Sequence, residues 1–225
     1  MDHGSSGARA TTRPRSERSW RMRVLVTREE LAARVESLGH DPVFCELIRV
    51  EPLGDQPVDA RAYDWLVVTS RNGAHELARR GVTANRIAAI GPATAEALES
   101  HGLHVDLVAA THTQEGLRDE LPGGSLLLAA AEGARRDVLE ADFLPLYRTI
   151  ELRPDVPDAD VALLMSGSAA RALSATGARL PVVAIGPRTA AEARAAGLEV
   201  IGVATTHDLE GLVEALRSSS WSSPS

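Results

Sequence analysis

Short apolar runs alternate with longer Ala- and Leu-rich stretches along most of the chain. The runs at 65–68, 87–90 and 161–165 each lead through a turn that contains Ser, Gly or Thr into a stretch that favours helix. Apolar runs of four or five residues that alternate with helices are typical of parallel sheets covered on both faces. The pattern therefore predicts an α/β fold.

The whole pattern occurs twice. The segment IAAIGPATAEAL is repeated as VVAIGPRTAAEA, which pairs Gly91 with Gly186 and Thr94 with Thr189 at a separation of 95 residues. The strands before these segments are 96 residues apart, so one residue was gained or lost in the loop between them. This internal repeat predicts two Rossmann- or flavodoxin-like parallel-sheet lobes.

The two copies lie unevenly in the chain, because the second copy runs to the end of the folded region. Its missing first strand and helix stand at the start, in RVLVTREELAARVESL. Lobe one is therefore expected to be discontinuous in sequence, and the two crossing segments are expected to be extended strands that act as a hinge. The predicted boundaries are 22–48 plus 152–217 for lobe one, 53–146 for lobe two, 47–52 and 147–152 for the linkers, and 1–20 and 218–225 for disordered tails.

Hydroxyl and glycine residues mark some of the predicted helix ends. Thr27 and Glu30 have the spacing of a capping box, which places a helix start at Thr27. Gly102 and Gly197 stand where a C-terminal glycine is expected to end a helix in each copy.

Composition narrows the class of protein. A formal net charge of −7 argues against a general nucleic-acid binder. The single cysteine, Cys45, lies in the apolar run PVFCELI and is expected to be a buried thiol rather than a nucleophile. No apolar run approaches the roughly 20 residues of a membrane span, and the polar start lacks the apolar core of a secretory signal. We therefore expect a cytoplasmic protein.

Motifs for common cofactors are absent from the sequence. No GxGxxG follows a strand, no GxxxxGKS or GxxxxGKT occurs, and neither HExxH nor a Cys–His cluster is present. The sequence therefore predicts no dinucleotide or Walker-type nucleotide site and no metal. His112 and His207 occupy equivalent repeat positions, where they are either a pair of ligands or surface histidines inherited through duplication.

Glycine and hydroxyl residues follow nearly every apolar run. Ligands of open parallel sheets bind outside the carboxyl ends of the strands, where helix starts favour anions. N-capping alone also explains Ser and Thr at helix starts. Because the set is mirrored in two lobes that are expected to face each other, we predict a cleft for a polyanion. The candidate binding residues are Thr27, Arg28, Thr69, Ser70, Gly91, Thr94, Ser166, Ser168, Gly186 and Thr189.

Two arginines follow the apolar run at 125–129. The sequence AEGARRDVL predicts a helix there, opened by Glu132, Arg135 and Arg136. Either arginine could form a bidentate pair with a ligand carboxylate or be solvated. We include Arg136 among the candidate substrate-binding residues.

The two crossing segments differ at an aligned position. LIRVE in one corresponds to YRTIE in the other, so Leu47 is matched by Tyr147. The sequence leaves two interpretations of Tyr147, a core aromatic with a satisfied hydroxyl or a functional phenol.

Several motifs, taken in order, resemble those of the uroporphyrinogen-III synthase family. They are VTR after the first strand, DWLVVTSRNGA, IAAIGPATAEAL, LYRT, MSGSAARAL and VVAIGPRTAAEARAAG. The similarity runs from about Val24 to Leu216. The resemblance implies two α/β lobes joined by a two-stranded ladder, and an enzyme that uses no cofactor and no metal.

The resemblance also implies an activity, the cyclisation of hydroxymethylbilane to uroporphyrinogen III with loss of water and inversion of ring D. This reaction belongs to tetrapyrrole and heme biosynthesis. Tyr147 matches the family's tyrosine and is expected to act as a weak general acid on the leaving hydroxyl, because a phenol is protonated at neutral pH. We expect a monomer, with transient contact to hydroxymethylbilane synthase as an open option. The family's Thr-Ser turn, repeated threonines and second-copy serines are matched by Thr69, Ser70, Thr94, Thr189, Ser166 and Ser168.

Two other functions fit the same features. A non-enzymatic two-lobed binding protein for an anionic ligand has similar lobes, crossovers and cleft. A degenerate synthase domain could serve regulation or partner contact. Formation of the III isomer in excess of the spontaneous I isomer separates the enzyme from both.

Overall fold

A computed structural model describes residues 21–219. Residues 1–20 and 220–225, most of the two predicted tails, lie outside the described residues. The strands are β1 (Arg23–Val26), β2 (Asp41–Phe44), β3 (Ile48–Pro52), β4 (Val58–Asp59), β5 (Trp65–Val68), β6 (Val82–Thr83), β7 (Ile87–Ala89), β8 (Leu107–Val108), β9 (Leu126–Ala131), β10 (Asp142–Glu151), β11 (Val161–Leu164), β12 (Val182–Ala184) and β13 (Val200–Val203). The helices are α1 (Ala32–Ser37), α2 (Arg71–Arg80), α3 (Pro92–Glu99), α4 (Gln114–Glu120), α5 (Gly167–Ala175), α6 (Pro187–Ala195) and α7 (Leu209–Ser218).

The chain divides into two compact units. Unit 1 comprises residues 21–47 and 153–219 of the described chain, and unit 2 comprises Ile48–Leu152. Unit 1 is therefore built from two separate stretches of sequence, as expected from the missing first strand of the second copy.

Unit 1 contains a five-stranded sheet in the order β13-β12-β11-β1-β2, with every neighbouring pair parallel. Counted within the unit, this is the flavodoxin-like order 2-1-3-4-5, which reverses direction between β1 and β11. Val24, Leu163 and Val183 are fully buried in its core. The α/β fold predicted from the apolar runs is confirmed, because strands covered on both faces carry continuous apolar sequence.

Unit 2 places five equivalent parallel strands in the same arrangement, but the two strands that come first in unit 1 correspond to the two that come last in unit 2. Its sheet has the order β3-β10-β9-β5-β7-β8, and all pairs except β3 with β10 are parallel. β4 and β6 form a separate two-stranded sheet. The reversal in unit 2 lies between β9 and β5, so each unit has one strand-order reversal of the kind that binds ligands at its carboxyl edge.

The two predicted crossing segments are strands of unit 2. β3 and β10 pair antiparallel, with Glu51 opposite Arg148, and the two side chains form a salt bridge of 2.8 Å. β10 pairs with β9 along its other edge, so the two-stranded ladder is continuous with the main sheet. Unit 2 therefore extends further at both ends than the predicted lobe at 53–146.

The predicted capping box at Thr27 is wrong. The first turn after β1 is a 3₁₀ turn, Glu29–Leu31, whose N-cap is Arg28 in an extended conformation with no side-chain cap. Thr27 thus precedes the N-cap by one residue, so the spacing from Thr27 to Glu30 does not join the N-cap and N3 positions that a capping box requires.

The predicted helix after β9 is also wrong. Residues 132–141 contain no helix and lead directly into β10. The Glu132 N–H donates to the Tyr147 carbonyl oxygen at 2.8 Å, which continues the pairing of the two strands beyond Ala131. Pairing between strands outweighs the helix propensity of Ala, Glu and Arg at this point.

Glycine ends α3 and α6, as predicted. Gly102 and Gly197 have φ angles of +78° and +80°, which favour glycine. After α6, the Leu198 N–H donates to the Ala193 carbonyl and the Gly197 N–H to the Arg194 carbonyl, each at 2.9 Å. These two bonds form a Schellman motif.

The interpretation of Cys45 as a buried thiol is confirmed. Burial raises the pKa of this thiol, because the charged form is poorly solvated there. None of the helices within residues 21–219 is long and apolar enough to cross a membrane.

Candidate active site

Ser70 and Tyr147 meet at the strand-order reversal of unit 2. Ser70 lies two residues beyond the end of β5, and Tyr147 is paired with Ala131, the last residue of β9. The Ser70 Oγ and the Tyr147 hydroxyl oxygen are 2.9 Å apart, a hydrogen-bonding distance. Tyr147 is only 5% exposed. The core of unit 2 therefore holds its ring while Ser70 holds its hydroxyl.

Ser70 and Ser166 both cap helices. Ser70 Oγ accepts a hydrogen bond from the Gly73 N–H at the start of α2 (3.0 Å), and Ser166 Oγ accepts one from the Ala169 N–H at the start of α5 (3.2 Å). N-capping thus accounts for the position of both serines. Because the Gly73 N–H uses a lone pair of Ser70, the Ser70 O–H remains able to donate to Tyr147.

α3 and α6 begin without a side-chain cap. Their N-caps are Gly91 and Gly186, each followed by proline. Thr94 and Thr189, at the third helical position, are 5% and 7% exposed, and their hydroxyls make no hydrogen bond to another residue of the described chain. Capping therefore does not explain these residues. The positive end of an uncapped helix can instead accept an anion.

The helices that close each repeat are capped. Thr113 Oγ1 accepts from the Gly116 N–H at the start of α4 (3.1 Å), and Asp208 Oδ1 accepts from the Gly211 N–H at the start of α7 (2.7 Å). The hydrogen bond from Gly211 holds the pKa of Asp208 below its ordinary value. Among α2 to α7, therefore, the starts of α3 and α6 are the ones without a cap.

An imidazole lies against each uncapped helix start. A Cβ atom on Gly91 would be 3.0 Å from Cγ of His112, and one on Gly186 would be 2.9 Å from Cδ2 of His207. Both histidines are exposed. Each follows its glycine by 21 residues, and this equal spacing marks the two histidines as equivalent positions of the repeat. Within residues 21–219 no three His, Cys, Asp or Glu side chains form a group that could hold a metal ion.

Ser168 belongs to a polar network on the surface of unit 1. Arg171 Nη2 donates to Ser168 Oγ (3.2 Å), and Arg171 also forms a salt bridge with Glu192. Glu192 covers the start of α5, because a Cβ atom on Gly167 would overlap its carboxylate. The Ser168 hydroxyl is therefore already engaged within unit 1.

The other strand-end candidates are Thr27, Arg28 and Thr69. Thr27 and Thr69 directly follow β1 and β5 and are half-buried, whereas Arg28 is extended and exposed. Thr27 and Arg28 thus lie at the strand-order reversal of unit 1, and Thr69 lies at that of unit 2.

Arg135 and Arg136 differ in their partners. Arg135 pairs with Asp137 at 3.3 Å and with Glu115 at 2.9 Å, and hydrogen bonds to these two carboxylates raise its pKa. The Arg136 guanidinium lies 3.8 Å from the centre of the Phe143 ring and pairs with no carboxylate of the described chain. Phe143 is paired with Leu128, three residues before the end of β9. The structure therefore brings Arg136 to the middle of the sheet rather than to Ser70.

Comparison with known proteins identifies the family. The family model HEM4, uroporphyrinogen-III synthase HemD, matches residues 29–214. The crystal structure of a mutant uroporphyrinogen III synthase from the extremely thermophilic bacterium Thermus thermophilus is 20% identical, with a TM-score of 0.60 over 87% of this chain and 97% of that chain. The wild-type enzyme in another crystal form is also 20% identical, with a TM-score of 0.42 over 87% of this chain and 96% of that chain. The first of these structures supports the α/β fold, and because the family model matches well over half of the sequence, the chain belongs to the uroporphyrinogen-III synthase family.

Proposed function

We propose that this uroporphyrinogen-III synthase, a cyclising lyase, uses Tyr147 to assist the loss of water from hydroxymethylbilane. The product would be uroporphyrinogen III, formed with inversion of ring D. The observation that supports the role of Tyr147 is its hydrogen bond with Ser70 at the strand-order reversal of unit 2. A phenol held at this edge is a proton donor at the place where α/β sheets bind ligands.

The substrate supplies most of the reactivity. An electron-rich pyrrole expels the hydroxyl group from its neighbouring carbon, so that the C–O bond breaks and an azafulvenium cation, which keeps the pyrrole N–H, remains. The hydroxyl leaves as water only if it gains a proton, and Tyr147 donates that proton. A positioned general acid contributes about 10²–10⁴-fold to the rate.

Ser70 stabilises the Tyr147 oxygen after the proton has left. The Ser70 Oγ is held by the Gly73 N–H (3.0 Å), which keeps its own O–H available to donate to the phenolate. Ring D closes through its substituted carbon, and the bond from that carbon to the neighbouring bridge carbon breaks and re-forms at the unsubstituted α-carbon of ring D. That carbon then loses its proton as the pyrrole becomes aromatic again, and Tyr147 regains the proton. The net reaction is cyclisation with loss of one water molecule.

We further propose that the uncapped helix starts hold substrate carboxylates. The net charge of −7 opposes a polyanion at long range, but salt screens this repulsion beyond about 8–10 Å, so local donors dominate. Main-chain N–H groups beyond Gly91 and Gly186 and the hydroxyls of Thr94 and Thr189 are such donors. Holding the linear tetrapyrrole curled lowers the barrier by orientation, which supplies roughly 7–11 kcal/mol in favourable cases. Further candidate contacts are Thr27, Arg28, Thr69, Ser166, Ser168 and Arg136.

The test is an isomer-resolved assay with freshly made hydroxymethylbilane. The chain has two tyrosines. Tyr63 bonds to Asp142 Oδ2 at 2.7 Å, near the amino edge of the sheet, and provides a matched control. We expect Tyr147→Phe to lower kcat for uroporphyrinogen III by about 10²-fold or more, and Tyr63→Phe to keep it within about twofold of the wild type.

The possible results separate the competing functions. Unchanged kcat in a folded Tyr147→Phe variant would contradict the role of Tyr147. If the wild type makes no III isomer above the spontaneous I isomer, the substrate assignment is wrong and an anion-binding or regulatory function takes its place. Circular dichroism of each variant verifies that the fold is intact.

We also propose that the enzyme acts as a cytoplasmic monomer whose contact with hydroxymethylbilane synthase is at most transient. The free, buried thiol of Cys45 is compatible with a reducing compartment. Sedimentation equilibrium is expected to give the mass of one chain, and a stable dimer would contradict this proposal.

A further inference from the structure

A cavity lies in unit 2, at the amino edge of its sheet. It has a volume of about 500 Å³, within the roughly 300–1,000 Å³ of ligand pockets. Its apolar wall includes Leu127 near the start of β9 and Leu144 near the start of β10, which pack in the same core cluster. Leu127 is four residues before Ala131, or about 13 Å along the strand. The cavity is therefore separate from the edge at which Ser70 and Tyr147 meet.

Arg80 contributes an unsatisfied cation to this cavity. Its Nε donates to the Gln56 carbonyl oxygen at 2.7 Å, but its Nη1 is buried and has no hydrogen-bond partner. No carboxylate of the described chain forms a salt bridge with it. A buried guanidinium N–H without an acceptor is unfavourable, and a bound carboxylate would satisfy it.

The two carboxylates in the cavity wall accept different numbers of hydrogen bonds from the protein. Asp59 is occupied through both oxygens by Arg61, whose hydrogen bonds lower the pKa of Asp59 to about 2. Asp142 accepts one hydrogen bond, from Tyr63, through Oδ2. Its other oxygen retains the capacity to accept from a ligand. Arg80 and Asp142 thus line one cavity with opposite charges that do not pair with each other.

We propose that this cavity binds a small zwitterion with an apolar body. Its carboxylate pairs with Arg80, its ammonium group pairs with Asp142, and its body lies on the wall formed by Leu127 and Leu144. A ligand with both charges complements both side chains, whereas a simple anion would face Asp142 without compensation. This proposal is independent of the synthase mechanism, because none of these groups contributes to the Ser70–Tyr147 edge.

The test uses the full chain and three probes that share a phenyl ring. They are L-phenylalanine, which carries both charges, 3-phenylpropionate, which lacks the ammonium group, and phenethylamine, which lacks the carboxylate. Binding is followed by NMR shifts of the amides of Leu127, Phe143 and Leu144. We expect phenylalanine to bind about tenfold more tightly than either single-charge probe, because each of those probes loses one charge-assisted contact.

Variants then assign the two charges. Arg80→Gln and Asp142→Asn are each expected to weaken phenylalanine binding by about tenfold. Arg79→Gln is the matched control and is expected to leave the affinity unchanged, because Arg79 lies on the same helix but pairs with Asp55 and Glu76. The Arg80→Gln variant is expected to keep wild-type synthase activity.

Three results would overturn the proposal. One is that none of the three probes shifts these amides in the wild type. Another is that 3-phenylpropionate binds as tightly as phenylalanine. The third is that folded Arg80→Gln and Asp142→Asn variants both retain wild-type affinity for phenylalanine. Arg80 and Asp142 lie on different elements, so if one variant misfolds, unchanged affinity in the other contradicts the proposal by itself.

Discussion

The serine that follows the first strand of the repeat caps a helix in both units, but the side chains around it differ. Ser70 and Ser166 both follow a buried strand and both cap the next helix. The hydroxyl of Tyr147 bonds to Ser70, whereas the aligned residue of the other crossing segment is Leu47, which is fully buried. Duplication thus supplied the same scaffold twice. Under the proposed mechanism, the proton donor belongs to unit 2, because Tyr147 is the donor and its aligned counterpart is a leucine.

The uncapped helix starts of the two units have remained alike. α3 and α6 both begin at Gly-Pro, both carry a buried threonine at the third position, and both have a histidine against the glycine. Groups proposed to bind carboxylates therefore occur in both units, and the group proposed to donate a proton occurs in one. The comparison predicts that paired variants in the two units have equal effects on binding and unequal effects on kcat.

The largest effect on stability is expected at the glycines inside the capped turns of α4 and α7. A Cβ atom on Gly116 would overlap the Thr111 carbonyl oxygen, and one on Gly211 would overlap Thr206. Because backbone must move in both cases, Gly116→Ala and Gly211→Ala are each expected to lower the free energy of unfolding by about 3 kcal/mol. Urea unfolding measures this, with Gly133→Ala, whose Cβ would meet nothing within 4 Å, as the control. If the free energy of unfolding fell in only one of the two variants, the two turns would not be structurally equivalent.

A smaller effect is expected at the glycines of the uncapped helices. The backbone of Gly91 and Gly186 is extended and suits any residue, but an added Cβ would displace His112 or His207. Gly91→Ala and Gly186→Ala are each expected to raise KM for hydroxymethylbilane by about tenfold, equivalent to ~1.4 kcal/mol. Steady-state kinetics measures this, and kcat is expected to change little. Unchanged KM in both variants would show that these helix starts do not contact the substrate.

The smallest effect separates the two capped helices at low pH. The hydrogen bond from Gly211 lowers the pKa of Asp208 in the folded state, so the cap contributes fully above the unfolded-state pKa of about 3.9. This contribution is lost as pH falls through the lower folded pKa. Urea unfolding at about pH 5, 4 and 3 is expected to show a flatter decline in Asp208→Ser than in the wild type, and no such change in Thr113→Ser. If the free energy of unfolding declined equally with pH in all three proteins, Asp208 would not contribute to the acid sensitivity of the fold.

The sequence predicted the features that depend on local chemistry and repetition. Strands such as β5 and β11 are continuous apolar runs, and Gly102 and Gly197 end their helices through positive φ. Each of these signals lies within a few residues, and the duplication provided each one twice. The α/β fold and the discontinuous unit could therefore be derived from the amino-acid sequence alone.

Features that depend on pairing between distant segments could not be derived. Residues 132–141 have good helix formers but contain no helix, because β9 pairs with β10 up to and beyond Ala131. The contact between Ser70 and Tyr147 joins residues 77 positions apart and required the strand order. The position of the His112 ring against Gly91 likewise depends on how the loop after β8 folds back onto the start of α3.

The claim that the chemistry lies in unit 2 is tested most directly by Ser70→Ala beside Ser166→Ala. Each variant removes a helix cap and is expected to lower the free energy of unfolding by about 1 kcal/mol. Ser70→Ala also removes the partner of Tyr147. We expect it to lower kcat for uroporphyrinogen III by about tenfold, while Ser166→Ala keeps kcat within about twofold and affects at most KM. Equal values of kcat in the two variants, at equal loss of stability, would contradict the account.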